Sequence, residues 1–340
     1  PPLYVIQQGA KIRINNRRIQ VELDHDDHDG PAEVLLSQPI GHVSELILFG
    51  NIGLTTPAIG ALLSANIPVI FLSQDGVYRG SLTGEITPHV PLRQSQYQCH
   101  SRFTFCLEMA KGFVEAKLRH QRVLLQRHSS PAPLQPAIDE AIERIQAQIE
   151  TIPHKTNLNS LRGLEGTATA AYFSGYRSLF DPAWHFTSRN RQPPTDPVNV
   201  LLSFGYTLLA GTAKGAVQAV GLDPYAGFLH EVAYNRPALA LDLLEEFRPL
   251  VDSVVLWCCR SGQLTPQDFV PNDDPNRPIL LLDGGKKRFL QAYENRMEET
   301  FTHPIRGLKF PLRQCILEQA RQIADRIKEN RPGYTPMGFR

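Results

Sequence analysis

The sequence predicts an α+β protein, with a small β-rich domain over residues 1–92 and a larger, mostly α-helical domain over residues 93–340. Three observations predict it. The chain has 340 residues, more than one compact core usually holds. The first 90 or so residues read mostly as short strands, two of them alternating with the two-residue period of a half-buried strand. From Ser101 onward apolar residues recur at four-residue spacing, as a helix requires.

The elements follow in order. Lys11-Ile12-Arg13-Ile14 and Ile19-Gln20-Val21-Glu22-Leu23 flank Asn15-Asn16, a hairpin pattern. Val34-Leu35-Leu36 and Leu46-Ile47-Leu48-Phe49 are further short strands. Thr55 or Thr56 caps a helix whose first turn takes Pro57 and whose body runs Ala58 to Ala65. Val69 to Leu72 is a buried strand, turned by Gln74-Asp75-Gly76 into Val77 to Leu82. In the second domain Phe105, Met109 and Phe113 mark one helix, Ile138 to Ile149 another and Leu312 to Lys328 an amphipathic last one. Ser129 to Pro136, Gln192 to Pro197 and Ser261 to Pro278 read as Pro-rich loops.

Composition narrows the class. The hydrophobic fraction is 42% and the charged fraction 20%, ordinary for a globular protein. No apolar run approaches the roughly 20 residues of a membrane helix, and no basic stretch followed by an apolar one marks a signal peptide. The reading is a cytoplasmic protein that meets no membrane. The five cysteines form no CxxC pair, so free thiols are expected rather than a zinc site. The chain opens Pro1-Pro2 and its first methionine is Met109, which reads as processing or as excision from a longer polypeptide. Net charge is only +1, but residues 285–340 carry 12 Lys/Arg against 6 Asp/Glu. Residues 101–128 carry Arg102, Lys111, Lys117, Arg119, Arg122 and Arg127 against Glu108 and Glu115. Such segments suit either a phosphate-binding surface or solvated helix faces.

Four stretches carry the candidate chemistry. Leu161 to Phe173 sets Glu165 among glycines, alanines and threonines, where a metal, a DNA backbone or a packed helix could come close. Gly221 to His230 delivers His230 after an apolar approach, as a ligand or as a core histidine. In Arg236 to Pro249, Leu239, Leu243, Phe247 and Leu250 form an apolar stripe, while Asp242, Glu245 and Glu246 stand at i, i+3 and i+4. Three acids so placed either surround a cation or line a solvated face. Asp283-Gly284-Gly285-Lys286-Lys287-Arg288 puts cations at a helix start, where a phosphate backbone could lie.

Jointly, and in this order, the four stretches resemble the signature of the family called CRISPR-associated protein one, and the resemblance covers nearly the whole chain. It implies that Glu165, His230 and Glu245 bind a catalytic divalent metal, Mg²⁺ or Mn²⁺, with Asp242 as a further acid that some members use. Glu245 is preferred to Glu246 because it lies one turn from Asp242 and matches the family's His-to-acid spacing. The implied reaction is spacer acquisition: the 3′-hydroxyl of a DNA fragment attacks a phosphodiester at the end of a CRISPR repeat. Implied partners are DNA, a second copy of the chain paired through the β-rich domain, and the small CRISPR-associated protein two. Some members are fused to a reverse transcriptase or a nuclease domain. Two carboxylates and an imidazole suit such an ion, and His230 must be neutral to bind, so activity is expected to fall in acid. Arg248, Lys286, Lys287 and Arg288 are candidate backbone contacts, and Tyr172 either bonds a phosphate or fills the core. Two other readings compete: a metal-dependent nuclease on branched or single-stranded DNA in repair, and a non-catalytic DNA-binding scaffold.

Overall fold

The computed structural model describes residues 1–23, 32–84, 89–129 and 136–338. Two compact units emerge, Pro1–Ile86 and Thr87–Arg340.

Among the described residues the first unit holds two four-stranded sheets and one α-helix. Strands β1 (Pro2–Val5), β5 (Glu45–Phe49), β7 (Val69–Leu72) and β8 (Tyr78–Leu82) form one sheet in that order. Its first three strands are parallel and β8 is antiparallel. The other sheet runs β4 (Glu33–Pro39), β3 (Arg18–Leu23), β2 (Lys11–Asn15) and β6 (Gly53–Leu54). Ile12, Ile19, Leu46, Leu48 and Val69 share one core with Ala58 and Leu62 of helix α1 (Thr56–Ser64). The hairpin turn lies one residue later than expected. Asn15 pairs with Arg18, and Asn16 and Arg17 form the turn at φ 48° and 60°. Two consecutive positive φ values are what a two-residue hairpin of this hand requires.

The second unit is helical: α2 (Val90–His100), α3 (Phe103–His128), α4 (Pro136–Thr151), α5 (Leu158–Arg177), α6 (Pro197–Ala219), α7 (Ala238–Arg260), α8 (Asp283–Glu298) and α9 (Leu312–Lys328). Caps start two of them. Asn157 accepts from Ser160 N at 2.8 Å, and Asp196, before Pro197, accepts from Asn199 N at 2.9 Å. Helix α6 is long and apolar enough to cross a membrane by length and composition, which corrects the expectation that no apolar run approaches that length. Its Leu201, Leu202, Leu208 and Leu209 are buried, and it packs on α7 and α9, the environment of a core helix. The stretch expected as loop from Ser261 to Pro278 contains a strand, β9 (Phe269–Pro271), paired antiparallel with β10 (Ile279–Leu281). A second short hairpin joins β11 (Thr300–Thr302) to β12 (Lys309–Pro311). Strands of three residues are too short to show a period. The loop expected over Ser129 to Pro136 lies outside the described residues except at its two ends. The cysteines are free.

Candidate metal centre

Helix α7 is the frame of the site. Ala238, Leu239, Ala240, Leu243, Leu244 and Phe247 give it strong local helix preference and are all buried. Asp242, Glu245 and Glu246 are buried as well, so the acids do not form a solvated face. A buried carboxylate is costly unless paired or hydrogen-bonded, and each of the three is satisfied differently.

Asp242 is fully buried and acts as an anchor. Its Oδ2 accepts from the backbone N–H of Phe228 at 2.5 Å and of Leu229 at 3.0 Å. Its Oδ1 accepts from the backbone N–H and the ring Nδ1 of His230 at 2.9 and 2.7 Å. With four donors in place, both oxygens of Asp242 serve the His230 loop. What it does is fix the imidazole: with Nδ1–H donated to Asp242, Nε2 is left as the free acceptor. The loop that carries His230 needs Gly227, where a Cβ would fall 2.7 Å from the Ala238 backbone and 2.8 Å from Asp242 Oδ2. Helix α2 holds the same loop: the Gln96 amide donates to the carbonyls of Asp223 and Ala226 at 2.8 and 3.0 Å, and the His100 ring meets that of Gly227 at 2.6 Å.

Glu245, three residues after Asp242, lies near the other ring nitrogen of His230. Its Oε1 lies 3.8 Å from His230 Nε2 and 2.9 Å from Arg248 Nε. Its Oε2 lies 2.7 Å from Lys117 Nζ, yet no hydrogen bond of good geometry reaches that oxygen. Burial alone would raise the Glu245 carboxyl, but Arg248, Lys117 and His230 outweigh it and hold the group down at about 2. The third candidate, Glu165, comes from α5. It pairs with Lys117, accepts from Thr169 Oγ1 at 3.0 Å, and is a quarter exposed. Arg162 of α5 pairs with Glu231, the residue after His230, at 2.8 Å. Glu245 therefore neighbours His230 directly, while Glu165 of α5 is joined to Glu245 through Lys117.

Glu246 belongs elsewhere. It accepts from Gln319 of α9 at 2.9 Å, from the Tyr334 hydroxyl and from the Met337 backbone N–H. His120 of α3 spans from the Glu246 carbonyl to the Met337 carbonyl, 2.8 Å each. The C-terminal segment is thus laced to α7 one residue from Glu245.

The residues present fit a divalent ion. Two carboxylates that share one ammonium and an imidazole make a hard, mixed O/N donor set. As placed, no three His, Cys, Asp or Glu side chains among the described residues surround a common point closely enough to clasp one. The centre between Glu165 and Glu245 is held by Lys117, which is 4% exposed. Sequence reading counted Lys117 only as one of six cations on a basic segment. One signal was legible: it continues the stripe Phe105, Met109, Phe113 at the next four-residue step, where a charge needs a buried partner.

The candidate backbone contacts divide. Tyr172 is fully buried and donates its hydroxyl to Asp252 at 2.7 Å, so it fills the core and meets no phosphate. Tyr206 also donates to Asp252, and Arg248 stacks 4.7 Å over the Tyr206 ring. Arg248 is 13% exposed, a counter-ion to Glu245 rather than a contact for DNA. Lys286 is buried with its ammonium 3.0 Å from Asp283, which corrects that expectation too. Arg288 bonds the Gln263 carbonyl at 2.9 Å and pairs with Asp268, whereas Lys287 is exposed. Sequence reading missed an open groove of about 490 Å³ that begins at Thr169, beside Glu165, and runs past Phe173 to Arg177, Arg189 and Arg191. Its arginines come from a helix end and a loop, so only the fold brings them together.

Comparison with known proteins identifies the family. The family model described as CRISPR associated protein Cas1 matches residues 3–295. A CRISPR-associated endonuclease Cas1 of Thermus thermophilus is 34% identical over 338 residues, covering 99% of this chain and 95% of that protein. Among solved structures, a casposase bound to integration product is similar at a TM-score of 0.81 and 22% identity, covering 97% of this chain and 91% of that one. A Cas6-RT-Cas1–Cas2 complex is similar at 0.79 and 27% identity, covering 97% of this chain and 35% of the longer one. With a family match over most of its length and a curated relative aligned almost end to end, the chain belongs to the CRISPR-associated protein Cas1 family.

Proposed function

We propose that the protein is a divalent-metal-dependent DNA integrase and endonuclease of CRISPR spacer acquisition. The observation that carries the reading is that Glu245 lies 3.8 Å from His230 Nε2 and shares Lys117 with Glu165, with His230 held by Asp242. Glu165 and Glu245 would hold Mg²⁺ or Mn²⁺ through oxygen, and His230 through Nε2. When bound, the ion lowers the pKa of an attacking hydroxyl and offsets charge on the phosphate. In the reaction a bond forms between the fragment's 3′-oxygen and a repeat phosphorus. The phosphorus–oxygen bond within the repeat breaks, and the departing 3′-oxygen takes a proton. One phosphodiester replaces another, so no nucleotide fuel is needed. The chain's own groups keep the site dry on one side: Glu245 is buried against Arg248, and Asp242 fixes the imidazole tautomer.

The groove from Thr169 to Arg191 supports a path for one DNA strand toward Glu165, with the arginines facing phosphates. Arg189 is partly committed, bonding Asn199 at 2.7 Å, so the exposed Arg177 and Arg191 are the stronger candidates. Lys287 and Arg288 would add backbone contacts elsewhere on the surface. In the first unit the edge strand β4 exposes Val34, Leu35 and Leu36 at 40–49%. An apolar edge strand of this kind favours pairing, and supports a homodimer built through the β-rich domain. The named Cas1–Cas2 complex supports Cas2 as the further partner.

The test combines the protein, the Cas2 of the same locus, a short 3′-hydroxyl duplex and a plasmid carrying a repeat. Joining that needs Mn²⁺ or Mg²⁺, and is lost with EDTA or His230→Ala, is the expected result. Cleavage without joining would replace the integrase by a repair nuclease. DNA binding with no chemistry in either metal would leave a scaffold.

A further inference from the structure

We infer that Lys117 is a built-in placeholder cation, which holds Glu165 and Glu245 together before the divalent ion arrives and must leave for the ion to enter. The inference rests on the metal-binding reading above. Two carboxylates brought close together repel each other unless a cation lies between them. Lys117 is that cation: its Nζ pairs with Glu165 and stands 2.7 Å from Glu245 Oε2. Its side chain is 5% exposed, and burying a lysine stem and charge so deeply costs free energy unless the pairing is close.

The ammonium and a divalent ion exclude each other. Small divalent cations sit roughly 2.1 Å from their carboxylate oxygens. An ion bonded to oxygens of both glutamates would fall inside the volume Nζ now fills, and its charge would repel the ammonium at that range. Nζ stands 2.7 Å from Glu245 Oε2, the distance of a close ion pair. Arg248 does not take the same part: it is stacked on Tyr206 and pairs with the other carboxylate oxygen of Glu245, Oε1. Lys117 is therefore a positioning residue that preassembles the site and sets its metal affinity by competition.

The experiment measures Mn²⁺ binding to the full chain, by loss of the free-ion electron paramagnetic resonance signal, in wild type, Lys117→Met and Lys117→Gln. Both variants should bind Mn²⁺ at least tenfold more tightly, and should lose more thermal stability without metal than with it. Equal or weaker binding by folded variants, with wild type binding, overturns the placeholder and leaves the metal site standing. No binding by any of the three overturns both. A measurement on wild type alone guards against unfolded variants: acetylation of Lys117 followed by mass spectrometry. It should be protected in EDTA and react when Mn²⁺ is bound; equal protection in both, at saturating Mn²⁺, overturns the inference.

Discussion

At the scale of single residues, the site is controlled by two aspartates that touch no substrate. Asp242 spends both oxygens on the His230 loop. Changing it to Asn puts an amide N–H against a donor, leaving a buried bond unmade at about 1–3 kcal/mol. Asp242→Asn should lower urea stability by that amount and weaken Mn²⁺ binding by about 10–100-fold, as loss of a group orienting a ligand does. Asp252 governs the core behind the site. Burial pushes its carboxyl up to about 6, against the pull of Tyr206, Tyr172, Arg248 and Arg189. A carboxyl raised in the folded state binds more protons there than in the unfolded chain. Its contribution to stability is therefore full below about pH 4 and is lost as pH rises through 6, roughly 3 kcal/mol at most. In urea titrations at pH 4, 5 and 6, Asp252→Asn should lack that share of the slope shown by wild type. Parallel slopes would remove Asp252 from the account.

At the scale of elements, α7 and the loop before it act as one part. Gly227 permits the loop to pass over the start of the helix, so Gly227→Ala forces the backbone to shift. About 1–3 kcal/mol of stability should be lost, and Mn²⁺ affinity should fall with it, which denaturation and metal titration on one sample would check. The loop sequence suggested a turn before His230, but not which partner it met, because Gln96 and Asp242 lie 127 and 12 residues from their acceptors or donors. The same limit hid the role of Glu246. Its i+4 spacing from Asp242 suggested a shared cluster, whereas the helix turns it toward Tyr334. Tyr334→Phe should cost about 1–3 kcal/mol by leaving Glu246 short of a donor, with little change in Mn²⁺ affinity; a large loss of metal binding would tie the tail to the site directly.

At the scale of the whole molecule, the alternation of Lys11 to Leu23 and the stripe of α3 were enough to foresee strands first and helices after. Each stretch alone suited a packed helix, a core histidine or a solvated face as well, but Glu165, His230 and Glu245 were nameable because the four stretches together, in their order, resemble the family signature. Lys117, Arg177 and Arg191 were not, because their roles depend on which helix lies opposite. If the groove carries a DNA strand, Arg177→Ala with Arg191→Ala should weaken binding broadly and reduce the salt slope by roughly 1–2. An unchanged slope in fluorescence anisotropy would leave the groove unused. Leu36→Glu on β4 should shift the chain toward monomer in light scattering if that edge carries the dimer.

The shared frame of His230 and Glu245 has a consequence for anyone re-engineering this centre. Both are referenced to the same turns of α7, one through Asp242 and one directly, so selection cannot easily retune them apart. Glu165 alone arrives from a different helix. Swaps among Leu161, Leu164 and Ala168, the buried residues that seat α5, would slide one donor against a fixed pair, making that packing layer the natural dial for preference between smaller and larger ions.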